Sequence, residues 1–155
     1  MLMVADVFAP ALTPARRRAR VHSDPTMRPR YLDLLFFTGL AFLLCHELDA
    51  VAQAEWRLLP FLSEMNDSDA YVMFVALHVP LLALILWWTG STVLRTRRRA
   101  QLLVDAFLVI HAGLHTALRF HADYTFHTTL SEACIYGAAV LGLIHAALSI
   151  RSARR

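Results

Sequence analysis

Four apolar segments of about 20 residues, arginine crowded onto alternate connections, and no strand-like alternation predict an all-α integral membrane protein. The expected architecture is an up-down bundle of four transmembrane helices with both termini cytoplasmic. Composition agrees. The chain of 155 residues is 57% hydrophobic and 17% charged, with a mean hydropathy of +0.48. Soluble domains average roughly 45–50% apolar and about 25% charged. The pI near 9.3 does not imply a nucleic-acid partner. All 15 basic residues are arginine, and they fall in terminal or loop clusters between apolar segments rather than along one stripe.

Taken in order, residues 1–30 are polar, with six arginines and four prolines. Such a segment cannot build a core and is expected to be a disordered basic tail. Met27 would open a sensible membrane protein, so a start there is an alternative, and His22 is incidental. A cleaved signal peptide is excluded because the first apolar run ends in His46-Glu47-Leu48-Asp49, not in a small-residue cleavage site. The spans are expected at about 31–52, 70–89, 101–120 and 128–149, followed by a basic tail at 151–155. The connection between spans one and two carries Glu55, Glu64, Asp67 and Asp69 against Arg57, whereas the next carries Arg95, Arg97, Arg98 and Arg99. The positive-inside rule then places the histidine- and acid-rich connections outside, in a multi-pass protein of the inner (plasma) membrane.

Local features fit this frame. Tyr31, Trp87 and Trp88 suit one interface, and Trp56, Tyr71 and Tyr124 the other. Pro80 removes a backbone donor inside span two and frees a carbonyl. Ala138, Gly142 and Ala146 make a small-residue stripe for close helix contact on span four. Cys45 and Cys134 lie inside apolar segments and read as small buried residues, with no disulfide framework.

Ionisable groups at membrane depth are costly and point to a site. At 1.5 Å per residue, His46 lies roughly 7 Å outward of the midplane, Glu47 about 9 Å and Asp49 about 12 Å. His78 and His111 lie near the midplane and His115 roughly 7 Å outward, while Glu132 reaches the same outer layer and His145 does not. His46 and Asp49 are three apart, and His111 and His115 four apart, so each pair shares a helical face. A layer of imidazoles and carboxylates inside a bundle is how metal sites are built.

The expected ligands are therefore His46, His78, His111 and His115 on a divalent transition metal, Zn or Fe foremost. Glu47 is expected as ligand or general base, and Asp49 as ligand or ligand-orienting group. Arg57 is expected to clamp an anionic head group at the outer mouth. Position 50 is Ala50, so His46-Glu47 opens no HExxH motif. Three other readings use the same histidines: a bis-histidine haem b, a proton or ion path, and a network of interhelical hydrogen bonds. Glu55-Trp56-Arg57 reads as an interfacial anchor or as a guard of the outer mouth. His121 and His127 read as solvated loop residues, Asp105 as facing water or an arginine, and His145 with Ser149 as an interhelical hydrogen bond.

His46-Glu47-Leu48-Asp49-Ala50, Glu55-Trp56-Arg57, Leu77-His78-x-Pro80 and His111-Ala112-Gly113-Leu114-His115 resemble a small uncharacterised family of bacterial four-span membrane proteins, over about residues 31–150. The resemblance implies a compact integral membrane protein and no particular activity. A looser similarity, carried by His111 and His115, is to seven-span membrane hydrolases of the alkaline ceramidase type. The span number differs, and no serine lies at depth beside that pair. The function expected is metal-dependent hydrolysis or oxidation of a lipid-like or small apolar substrate. Membrane lipid is the expected partner, and a homodimer is compatible with so small a bundle. The non-enzymatic alternative is a carrier or accessory subunit for a metal, haem or protons.

Overall fold

The computed structural model describes residues 30–154, so the expectations for the N-terminal tail, its start and His22 lie outside the described residues. Four helices follow in order: α1 (Arg30–Ala52), α2 (Asp67–Thr89), α3 (Leu94–Leu118) and α4 (Thr129–Ser152). A 3₁₀ turn (Glu55–Leu58) lies between α1 and α2. Each helix is long and apolar enough to cross a membrane, and no strand occurs among the described residues.

Local signals set the helix starts. The Asn66 side chain accepts the Asp69 backbone N–H at 3.0 Å at the start of α2, and Thr128 accepts that of Ser131 at 3.0 Å at the start of α4. α3 departs from expectation. It begins at Leu94 and takes the arginines at 95–99 into its first turns, where the sequence suggested a loop. Arginine is a good helix former, and two of these side chains are held at the bundle end. Arg97 donates to Asp33 of α1 at 2.9 Å, and Arg98 donates to the Ser149 carbonyl of α4 at 2.8 Å.

The core is made by α1, α3 and α4, with α4 packed on both of the others and α2 laid mainly against α3 and the 3₁₀ turn. The small-residue positions show why. A Cβ on Gly142 would lie 3.2 Å from Leu108 Cδ1 and 3.3 Å from the Asp105 carbonyl oxygen, so the backbones of α3 and α4 nearly touch there. A Cβ on Gly39 of α1 would lie 3.4 Å from Leu141 Cβ and 3.8 Å from the Ala138 carbonyl oxygen of α4, ordinary contact distances. α2, by contrast, buries only Ala70, Phe74 and Thr89. Gly142→Val should therefore force α3 and α4 apart and cost about 1–3 kcal/mol, as overpacking does. Reversible unfolding in mixed micelles would read this, and an unchanged midpoint would mean the helices are not in contact at that position.

Polar groups occupy two levels of this core. Near the arginine-bearing end, His145 Nδ1 lies 2.6 Å from Asp105 Oδ2, and Ser149 Oγ lies 3.0 Å from His145 Nε2. The interhelical hydrogen bond expected of His145 is thus present. Asp105 is not the solvated group expected of it: it is 2% exposed and pairs with an imidazole. The series carboxylate, imidazole, hydroxyl matches the order of a nucleophilic relay. All three side chains are 0–3% exposed where α3 packs on α4, so the series works here as a tie between helices. The second level, at the opposite end, holds the remaining histidines of the spans.

Candidate metal centre

The site is assembled from the ends of two helices and the turn that follows the first. His46 lies on the penultimate turn of α1, and His111 and His115 lie four apart on one face of α3. After Ala52 the chain reverses through Ala54, whose φ of 54° is left-handed, and Glu55 opens the 3₁₀ turn. A left-handed conformation at a residue with a Cβ is uncommon and is held by its surroundings. Here it swings the Glu55 carboxylate back over the end of the bundle.

Four donors converge there. One ligand atom from each of His46, Glu55, His111 and His115 falls within 4.8 Å of all the others. Glu55 Oε2 lies 3.3 Å from His46 Nε2, and Oε1 lies 3.4 Å from His115 Nε2. The imidazole centroids are 4.6–4.9 Å apart, edge to face. His46 and His115 are 1% and 3% exposed, and Glu55 is 8% exposed. Burial pushes the Glu55 carboxyl up, but its contacts with His115 and His46 outweigh that and hold it at about 2, an ionised ligand. Phe126 closes the site against the rings of His46 and His115, at centroid distances of 5.4 and 4.8 Å. The connection that carries Phe126 is pinned to the first loop where Thr125 Oγ1 donates to the Gln53 carbonyl at 2.9 Å.

Hydrogen bonding alone does not explain this cluster. Both ring nitrogens of His46 and Nε2 of His111 are buried without a hydrogen-bond partner among the described residues. Buried polar atoms are rarely left so, and each costs about 1–3 kcal/mol. Nitrogen lone pairs facing a carboxylate in a closed pocket are donors that could hold a metal ion. An outer partner is also present: His115 Nδ1 lies 3.3 Å from the Tyr124 hydroxyl. Burial pushes the Tyr124 phenol up, which keeps it neutral with an oxygen that can accept. Nδ1–H donating to that oxygen leaves Nε2 unprotonated, with its lone pair toward Glu55 and the other imidazoles. Tyr124→Phe should weaken metal affinity by about 10–100-fold, read by competition with a chromogenic chelator, and unaltered affinity would remove Tyr124 from the site.

The other candidates lie elsewhere. His78 Nε2 is 2.8 Å from Glu47 Oε2, and its Nδ1 is 2.7 Å from the Phe74 carbonyl. Both nitrogens are engaged, and His78 is not in the convergent group. Since a carbonyl can only accept, Nδ1 donates to Phe74, and Nε2 faces the Glu47 carboxylate. Asp49 Oδ1 accepts from Gln53 Nε2 at 3.4 Å, outside the donor group. Arg57 is forked onto Asp67: its Nε and Nη2 donate to Oδ1 and Oδ2, each at 2.8 Å, and Trp56 Nε1 donates to the same Oδ1 at 2.9 Å. Glu132 pairs with Arg119 at 3.3 Å near the surface. His121 and His127 are exposed, as expected.

Residues 32–152 match the profile of a family described as a family of unknown function, DUF6713. The chain belongs to this family. The match covers every residue of the cluster and all four helices except the first two residues of α1, in keeping with the expected membership of an uncharacterised family. No curated protein and no solved structure matches the chain.

Proposed function

We propose that this member of the DUF6713 family is a multi-pass membrane metalloprotein whose His46, Glu55, His111 and His115 hold one divalent transition metal, Zn or Fe. The observation that carries the reading is the meeting of four buried donors, two of them with unsatisfied nitrogens, at one point of an apolar bundle. Three imidazoles and one carboxylate suit either metal. A haem b fits poorly, because three imidazoles in mutual edge contact leave no gap for a macrocycle between them.

When bound, such an ion supplies Lewis acidity and, for iron, redox chemistry. The activity proposed for the centre is hydrolytic or oxidative catalysis on a lipid-like or small apolar substrate. Glu47 follows His46 directly and lies 2.8 Å from His78 Nε2, which puts a carboxyl–imidazole pair suited to general acid–base work beside the centre. Phe126, packed on the His46 and His115 rings, keeps bulk water from them. The arginine-bearing end faces the cytoplasm of a plasma membrane by the positive-inside rule, which turns the metal end outward.

Metal analysis on detergent-purified protein, beside His111→Ala/His115→Ala, tests the site. About one equivalent of metal, lost in the double variant, is expected from a one-metal donor set. Folded wild-type protein that takes up neither Zn nor Fe under chelator-free conditions would refute it.

A further inference from the structure

α2 buries little of itself, and most of what it buries lies near its start. Of its buried residues Ala70, Phe74 and Thr89, the first two pack with Trp56 and Leu62 of the first loop. The 3₁₀ turn Glu55–Leu58 supplies Trp56, and it also supplies the Glu55 donor. This turn needs support from outside itself. It spans four residues, and hydrogen bonds of 3₁₀ geometry are poorer than those of an α-helix. Ala54, which leads into it, holds a left-handed φ of 54° that a residue with a Cβ adopts only at a cost.

Three consecutive residues engage two partners. Glu55 lies with one oxygen against His46 and the other against His115. Trp56 engages α2 instead. Its ring centroid lies 5.5 Å from that of Tyr71 and 5.9 Å from that of Phe74, and the residue is buried. Its Nε1 donates to Asp67 Oδ1 at 2.9 Å. Arg57 forks onto the same carboxylate where both side chains are exposed. Asp67 is the first residue of α2, so the helix fixes where its carboxylate stands. That helix end is itself held by the Asn66 side chain, which accepts the Asp69 N–H.

We propose that Asp67 is a positioning residue of the metal centre: by accepting the Trp56 indole N–H it fixes the 3₁₀ turn, and so keeps the Glu55 carboxylate on His46 and His115. The proposal rests on the metal reading of those residues. Glu55-Trp56 is then one device, a donor for the ion followed directly by the tether that aims it. The device gives α2 a part in the site although none of the four donors lies on that helix. A donor binds an ion best when it is held in place before the ion arrives, because its ordering is then not charged against binding. Without the tether, Glu55 is free to leave the imidazoles, and the three histidines on α1 and α3 stay where their helices put them. The tether acts on Glu55 and not on the ion. Its loss therefore weakens binding and alters coordination, and does not abolish binding.

Titration of Co(II) into the full-length, detergent-solubilised protein against a competing chelator tests this, with the visible absorption of the bound ion recorded as a report on its coordination geometry. Asp67→Ala and Trp56→Phe should each weaken binding by about tenfold, the low end for a group that orients a ligand, and each should change the spectrum. Trp56→Phe keeps an aromatic ring beside Tyr71 and Phe74 and removes the N–H. The two losses should not add, because both variants remove the same bond. Asp67→Asn keeps an acceptor oxygen and should restore wild-type affinity and spectrum. In Glu55→Ala protein, Asp67→Ala should have no further effect. Unaltered affinity and spectrum in Asp67→Ala would overturn the proposal. Asp67→Asn as weak as Asp67→Ala would overturn it too, by assigning the effect to charge. A further loss from Asp67→Ala on top of Glu55→Ala would do the same, by showing a general loosening of the fold. Should Asp67→Ala fail to fold, Trp56→Phe and Asp67→Asn carry the test. Folded wild-type protein that takes up no Co(II) refutes the centre and the proposal with it; uptake that no variant alters refutes the tether alone.

Discussion

Glu55→Ala protein should emerge from purification with little metal, while His78→Ala protein should keep a full equivalent. The contrast is large because the two residues hold opposite positions in the structure. Glu55 spans His46 and His115 with its two oxygens and supplies the anionic donor of the set. Removing it leaves three neutral imidazoles with no counter-charge for a divalent ion. The loss should exceed the roughly 10–100-fold that follows from removing an outer partner of a ligand. His78 is tied to Glu47 and to the Phe74 carbonyl, and its removal leaves all four donors in place. Asp49→Asn and Arg57→Gln should likewise leave metal content unchanged, because Asp49 bonds Gln53 and Arg57 bonds Asp67. Acidification should release the metal from wild-type protein, since imidazole binds only when neutral. Metal analysis across the four variants decides the matter. Retention in Glu55→Ala with loss in His78→Ala would reverse the assignment and restore His78 as a ligand.

His145→Leu should be the most destabilising single change at the arginine-bearing end, by about 3–5 kcal/mol. Asp105 is 2% exposed and loses its imidazole partner at 2.6 Å, while the Ser149 hydroxyl loses the Nε2 that it faces. The pair joins α3 to α4 at the level where Gly142 lets the two backbones meet. The double variant Asp105→Leu/His145→Leu should recover much of the loss, because it removes the buried carboxyl together with its partner. A double-mutant cycle by reversible unfolding measures the coupling. Additive effects would show that the two side chains act independently. Metal content at the distant site should be unchanged throughout.

Much of this architecture can be read along the chain. Hydropathy and length locate four helices, because a helix that crosses lipid must satisfy its backbone internally over about 20 residues. Helix starts are less legible where charge is involved: α3 begins seven residues before the apolar run, since Arg97 and Arg98 find partners on α1 and α4. Those partners are 64 and 51 residues away in sequence. The stripe Ala138, Gly142, Ala146 marks the packing face of α4 before any coordinates are known, and Gly142 lies at the close approach to α3.

The candidate site divides in the same way. Helical periodicity alone pairs His111 with His115, and depth alone brings His46 to their level. Periodicity does not reveal what a helix face meets. His78 lies at nearly the same depth as His111, but α2 stands on the flank of the core, so His78 meets Glu47 instead of the other histidines. Glu55 could not be found by depth, because it lies beyond the end of α1. Its place depends on a left-handed residue at Ala54 that no local rule anticipates in an alanine. Asp49 shares a helical face with His46 in projection, yet only the Glu55 carboxylate turns into the donor group. The sequence by itself determined four helices long and apolar enough to cross a membrane, with histidines at one level, because transfer energies and helical periodicity act residue by residue. The tertiary structure decided which carboxylate joins them and which histidine stands aside. Those outcomes depend on one turn and on the packing of α2, where contacts between distant residues set the geometry.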